Sequence, residues 1–422
     1  MEAVVPESPR RPLRIAVHGA GVAGPTLAWW LRHHGHEPVL FEKAPALRTG
    51  GYVIDFWGTG YDVAERMGLL PAIHAAGFQA EELRVEDADG RRRAAMGLRT
   101  FLEVTDGRYT SIQRGELARI VWEACAGIET RFGTSIDALE QRPDGVRVHS
   151  AGRAETFDLV VGTDGLHSRI RTLAFGPEED YLHPLGLHVA AFRARGTSPR
   201  DPRRFVVHTR PGRQLGRVAC GEDETAFIFI WRDESDPIAV GIGEGDSSDP
   251  VATVERVFAD MGWEWPAIRE LLRAAPEVYL DGVSQIRMER WTRDRVALVG
   301  DAAACVSLLA GEGTGLAMTE AYVLAGELSR APHPEAFAAY EERLRPLLQA
   351  KQAAAPSFAG FFAPRTRAGL FARDWAVRLS NLPGLARLFA GASLRDDFDL
   401  PDYPSPAPGH PREIAMPHPA PL

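Results

Sequence analysis

Residues 14–43, RIAVHGAGVAGPTLAWWLRHHGHEPVLFEK, decide the architecture. RIAVHG reads as a short buried strand, Pro25 to His34 as a helix packed through Leu27, Trp29, Trp30 and Leu31, and PVLFEK at 38–43 as a second strand. Strand, glycine-rich turn, helix and strand within about 30 residues make a βαβ unit, which implies a parallel sheet. In the turn GAGVAG at 19–24, Gly19 permits a tight bend, Gly21 lets a pyrophosphate approach the backbone, and Gly24 allows helix and strand to pack closely. The helix that this turn opens, just after Ala23 and Gly24, offers free N–H groups and a positive dipole end to phosphate. Glu42 ends the second strand, with Lys43 beside it, where a carboxylate accepts from a pair of ribose hydroxyls. A carboxylate there repels a 2′-phosphate, so the turn is expected to hold NAD or FAD rather than NADP. His18, just before the turn, reads as a packed strand residue.

Outward from this unit, 61–77 and 114–127 have helical spacing and DLVVGTDG at 158–165 is another buried strand. From about 183 to 240 the pattern becomes alternating, in HVAAFRARG, RFVVHTR and TAFIFIWRD, as in antiparallel strands of a separate sheet. RVALVGD at 295–301 returns to the buried parallel type, followed by a glycine-rich loop and a helix at about 313–329. The segment 334–392 is helical and rich in Arg, Ala and Leu. The expected organisation is a flexible tail at 1–12, a discontinuous nucleotide-binding domain at 13–78, 105–182 and 283–345, and a substrate-binding sheet at 79–104 and 183–282. A helical segment at 346–400 and a proline-rich tail at 401–422 complete it.

The 422 residues are 45% hydrophobic and 25% charged, the balance of an ordinary globular protein. A net charge of −9 argues against nucleic-acid or anionic-membrane partners. The arginines at 91–93 read as a solvated turn. Three widely spaced cysteines (Cys125, Cys220, Cys305) form neither a disulfide framework nor a zinc pattern, which points to a reducing, cytoplasmic home. No apolar signal core or spanning segment is present. HHGH at 33–36 reads as solvated histidines at a helix end rather than a metal site.

Two later segments choose between the dinucleotides. VVGTDGLHSRIR at 160–171 puts Asp164 and Gly165 at a strand end; VALVGDAAACVSLLAGEGTGLAMTEA at 296–321 puts Gly300 and Asp301 at another, before a loop with Gly311, Gly313 and Thr314. A flavin needs a carboxylate for its ribityl hydroxyls, which Asp301 can supply. It also needs donors at its N(1)/C(2)=O edge, which a helix beginning near Gly313 can offer.

GAGVAG with Glu42, TDGLHSRIR and GDAAACVSLLAGEGTGLAM together resemble the single-component flavin monooxygenases typified by para-hydroxybenzoate hydroxylase. EKAPALRTGGYVIDFWGTG at 42–60 is similar to actinobacterial members near the tetracycline-inactivating monooxygenases. The resemblance covers about 13–375 and implies an α/β, glutathione-reductase-type FAD-binding Rossmann-like domain, an inserted, mostly antiparallel substrate sheet and C-terminal helices. It implies that Glu42 and Arg48 hold the adenosine ribose and pyrophosphate, that Arg114 reaches the phosphate or ribityl chain, and that Asp301 reaches the ribityl chain. Asp164 would assist both FAD and the reducing nicotinamide, while Gly50, Gly51 and Asp55 lie beside the flavin. With no second GxGxxG, NADPH or NADH is expected to dock transiently.

The function implied is oxygenation, typically hydroxylation, of an aromatic or polyketide-type molecule with NAD(P)H and dioxygen through a flavin C(4a)-hydroperoxide. The alternatives are a non-redox FAD-scaffolded cyclase or isomerase, and a binding protein of the same fold. No metal and no nucleic acid are expected; the chain would be a monomer or homodimer. Leu308 and Glu312 stand where relatives carry proline and commonly glutamine. Glu312 ionised near the flavin would oppose the reduced anion unless it turns to solvent or pairs with an arginine. For the substrate pocket, Phe227, Phe229 and Trp231 share one face by period two and are candidates, with core packing the competing reading. His208 reads as a structural histidine or one orienting a substrate hydroxyl. The basic segment 365–390 is expected to close the back of the FAD domain.

Overall fold

The computed structural model describes residues 11–48, 52–196, 201–221, 223–232, 249–308, 311–382 and 398–403, the side chains of 100, 101, 104 and 357–359 excepted. Its organising element is a six-stranded sheet ordered Thr292–Arg293, Val296–Leu298, Leu159–Gly162, Arg14–His18, Glu37–Glu42 and Glu129–Phe132, parallel except for the first pair. Ile15, Ala16 and Val17 are completely buried, as expected of a strand covered on both faces. The helix Ala23–His33 returns the chain between the first two parallel strands and packs on the helix Gly313–Arg330.

The second sheet has seven strands, ordered Val278–Ile286, Leu182–Arg195, Glu224–Arg232, Arg213–Ala219, Arg204–Arg210, Glu82–Glu86 and Arg92–Gly97. All neighbours are antiparallel except Arg204–Arg210 beside Glu82–Glu86. Helices Pro250–Phe258 and Trp265–Ala274 cover one face. Asp249 caps the first of these by accepting from the Val251 N–H, and each helix carries a proline within its first two residues, whose missing donor costs nothing there. The α/β fold with an inserted, mostly antiparallel sheet is therefore the one the motifs implied.

Several local expectations are corrected. The helical stretch 61–77 is two helices, Gly58–Arg66 and Leu70–Ala76, parted at Gly68, whose φ of +73° ends the first. Arg92 and Arg93 open an edge strand rather than sit in a turn. The histidines at 33–36 are only partly solvated: burial lowers His33, His34 and His36, His34 to about 4, and His33 stacks on Trp29 at 5.2 Å. The helix Arg367–Leu379 lies on the edge strand Arg92–Gly97 of the second sheet, not behind the nucleotide domain. Its Val377 joins Val85, Ala94 and Val207 of the second sheet in one apolar cluster.

Candidate functional site

Three neighbouring parallel strands end at one place. The Thr163 N–H donates to the His18 carbonyl at 2.8 Å, and the Val299 N–H to the Gly162 carbonyl at 2.9 Å, tying the three tips together. At the first tip, a Cβ added to Gly24 would lie 1.9 Å from the Gly19 oxygen, and one added to Gly19 (φ +115°) would lie 2.6 Å from the Thr163 oxygen. Gly21 differs: nothing lies within 4 Å of where its Cβ would be, because that position opens on a cleft of about 750 Å³ between the two sheets. An open glycine at a helix start is what close approach of a pyrophosphate requires, so the residues present fit a dinucleotide cofactor.

Glu42 is fixed beside this turn by accepting from the Ala20 and Ala44 N–H groups, both at 2.8 Å, and its other lone pairs remain available to hydroxyls. Lys43, Arg48 and Arg114, all exposed, line the same cleft and give it positive walls. Gly50 and Gly51 lie outside the described residues. At the second tip, Gly165 opens on the cleft. Asp164 lines it too, but its carboxylate is turned into the protein. It accepts from Ser168 Oγ, from the Arg169 and Ile170 N–H groups at 2.7 and 3.1 Å, and faces His18 Nδ1 at 3.0 Å. Burial alone would push this carboxyl up; His18 and the donors win and hold it low. These contacts anchor the loop at the second tip.

The third tip meets the first. A Cβ on Gly300 would lie 3.0 Å from Ala317 Cβ and 3.6 Å from Ala23 Cβ, and one on Gly313 would lie 3.6 Å from Asp301 Oδ1. Asp301, Gly313 and Thr314 are partly open, and Gly311 sits against the ring of Trp57. Behind them the Gly300 N–H donates at 2.7 Å to Glu320, a carboxyl that full burial pushes up to about 8. Glu312 does not turn to solvent: it pairs with Lys351 at 2.6 Å, both side chains buried.

The seven-stranded sheet contributes Ala191 to Arg195, Glu224 and Tyr279 to the wall of the cleft. On one of its faces Val189, Ile230 and Val283 cluster with Ile228, Leu308 and Phe362. Alternation then sends Phe227, Phe229 and Trp231 to the opposite face, among Phe258, Met261 and Trp265 of the covering helices. As pocket candidates these three are corrected to core residues, all at most 4% exposed. His208 lies on that same buried side, its Nδ1 2.9 Å from the Glu86 carbonyl and its ring stacked on Trp263 at 5.9 Å. It is structural there and orients nothing in the cavity.

Asp55, on the strand Val53–Trp57, accepts from Tyr109 and Ser111 hydroxyls on the paired strand Tyr109–Gln113, both at 2.7 Å. Burial pushes this carboxyl up while the two donors pull it down. Composition had not marked Tyr109, Ser111 or Gln113; their period-two spacing in YTSIQ is the signal that could have found them. Gln113 accepts from Arg193 at 2.7 Å and donates to Glu224 at 3.0 Å, making a polar bridge from this strand pair to the seven-stranded sheet. Tyr52 and Tyr279 meet nearby at 6.2 Å between ring centroids. Among the described residues no cluster of His, Cys, Asp and Glu could hold a metal ion, and no helix is long and apolar enough to cross a membrane.

The family model described as "FAD binding domain" matches residues 13–351. A flavin-dependent monooxygenase from an unknown prokaryotic organism is 34% identical over 349 residues, 81% of this chain and 88% of its own length. One from Legionella longbeachae is 34% identical over 352 residues, 81% of this chain and 87% of its own. The crystal structure of tetracycline destructase Tet(51) superposes with a TM-score of 0.79 at 29% identity, covering 93% of this chain and all 100% of that one. The chain therefore belongs to the FAD-dependent monooxygenases of the single-component class, near the tetracycline-inactivating enzymes.

Proposed function

We propose that this enzyme oxygenates an aromatic or polyketide-type small molecule, using NAD(P)H as a transient reductant and dioxygen, in the space between the three strand tips and the apolar face of the seven-stranded sheet. The observation that carries the reading is the open Gly21 facing a cleft of about 750 Å³ whose walls bring Glu42, Lys43, Arg48 and Arg114 together. Bound there, FAD supplies the redox chemistry: it takes a hydride and activates dioxygen.

The chain's own groups bind, orient and shield. Glu42 takes the ribose hydroxyls on lone pairs its two backbone donors leave free. Lys43, Arg48 and Arg114 neutralise the diphosphate. Asp301 accepts from the ribityl hydroxyls, and the helix beginning at Gly313 turns its N–H groups and positive end toward the ring edge that gains charge on reduction. Val189, Ile228 and Ile230 keep water from the reacting face, where charge separation is favoured by low dielectric. Asp55, with its carboxyl raised by burial, holds or releases a proton at its wall of the cavity. Three free cysteines, two of them buried, suit a reducing cytoplasmic setting.

The test is direct. The purified protein should be yellow, bleach on anaerobic addition of NADPH or NADH, and consume dioxygen faster with one member of a panel of polycyclic phenols, yielding a product heavier by one oxygen atom. A colourless protein that added FAD cannot reconstitute would remove the cofactor site. An inert flavin accompanied by turnover would convert the reading to a non-redox scaffold.

A further inference from the structure

Two charged side chains that no step above uses meet beneath the loop leading into the helix Gly313–Arg330. Glu312 is the residue immediately before that helix and is 8% exposed; Lys351, on the long helix His333–Phe362, is 7% exposed. Their carboxylate oxygen and ammonium nitrogen are 2.6 Å apart. The surroundings hold the pair in place. Gly311, one residue before Glu312, lies against Trp57, and a Cβ on Gly313, one residue after, would lie 3.6 Å from Asp301 Oδ1. Gln352, next to Lys351, donates to the Ile286 and Cys305 carbonyls at 2.7 and 3.1 Å, which fastens that turn of the long helix to the chain around the third strand tip.

Electrostatics gives this arrangement a consequence. The start of an α-helix carries about half a positive charge. A carboxylate at that position, taken alone, more than cancels it and would repel electrons arriving on any ring seated at the helix end. Leaving one buried charge uncompensated would also strongly destabilise the fold. Lys351 removes both difficulties: it balances Glu312, and the Glu312 side chain makes no capping bond to the helix's own N–H groups. We propose that Lys351 is a positioning residue that acts through Glu312 to set the reduction potential of the bound flavin, keeping the helix end net positive toward the ring. The inference rests on the flavin site proposed above.

The experiment measures the two-electron potential of the FAD-loaded protein and the affinity of its oxidised flavin for sulfite, in wild type, Lys351→Met, Glu312→Gln and the double variant. Lys351→Met should shift the oxidised-to-reduced equilibrium toward the oxidised form by tenfold or more, about 30 mV, and weaken sulfite binding. Glu312→Gln should move both readouts the other way, and the double variant should return them close to wild type. A merely structural pair would lower stability in both single variants without moving the potentials in opposite directions. If Lys351→Met does not fold, Glu312→Gln with the double variant still decides the sign. A flavin-loaded wild type with unmoved or same-direction shifts overturns this inference alone. A wild type that takes up no flavin overturns the site and the inference together.

Discussion

The cofactor side and the substrate side of the cleft are both built from apolar β-strands, yet they make their sites in opposite ways. On the cofactor side the working groups are backbone: glycine positions at three adjacent strand tips, with a helix start behind them. On the proposed substrate side they would be side chains of a sheet whose strands come from 82–97, 182–232 and 278–286. Backbone sites depend on local shape, so a short motif specifies them. Face-dependent sites depend on what covers each side of the sheet, which no local stretch states.

The largest effect that tests this contrast is Gly24→Ala. Its methyl would meet the Gly19 oxygen at 1.9 Å, so a loss of more than about 4 kcal/mol, with no bound flavin, is expected in thermal unfolding and visible absorbance. Gly21→Ala should leave unfolding nearly unchanged while weakening FAD binding by about tenfold or more, near 1.4 kcal/mol, in a fluorescence titration. Equal destabilisation by both changes would break the distinction between packing and cradle glycines.

On the other side, Trp231→Ala should cost about 3–5 kcal/mol of stability yet leave substrate KM within twofold once the protein is folded. Ile228→Ala should do the reverse, costing less stability and shifting KM or product pattern. A selective KM effect at Trp231 would restore it as a pocket residue. Arg114→Ala, at an exposed position, should change apo stability by less than about 0.5 kcal/mol but raise the Kd for FAD about tenfold, near 1.4 kcal/mol, measured by ultrafiltration.

The smallest expected effect is at the rim. His167 lies between Asp281 and Glu178, 3.9 and 2.8 Å from its two ring nitrogens, and they raise it from 6.5 to about 9. A raised histidine stabilises fully below its unfolded value and loses that contribution as pH climbs through the folded one. The Tm difference between wild type and His167→Ala should therefore be greatest at pH 6 and shrink to nothing above about pH 10. A constant difference across that range would show that His167 contributes packing rather than charge.

How much was legible in the chain follows the same division. The βαβ unit, Glu42, the Asp164-Gly165 turn and the Gly300-Asp301 tip stand in short runs with their own strand and helix signals. Asp164 shows what motif reading leaves out: its position is right for the cleft, and only the folded chain shows that Ser168, His18 and two backbone donors hold its carboxylate. Period two correctly put Phe227, Phe229 and Trp231 on one face and Ile228 and Ile230 on the other. It could not say which face the helices 250–258 and 265–274 would cover. Nor could it say that Lys351 would find Glu312, because those residues are brought together only when two helices cross.

Local steric demands and backbone charge therefore announce themselves in single stretches: the amino-acid order alone determined a glycine-lined nucleotide turn, its acidic partner and an inserted alternating sheet. Which helices cover each side of that sheet, which carboxylates have donors and which buried charges are paired were decided by packing between segments far apart in the chain. Desolvation and pairing energies belong to surroundings, and those exist only in the folded molecule.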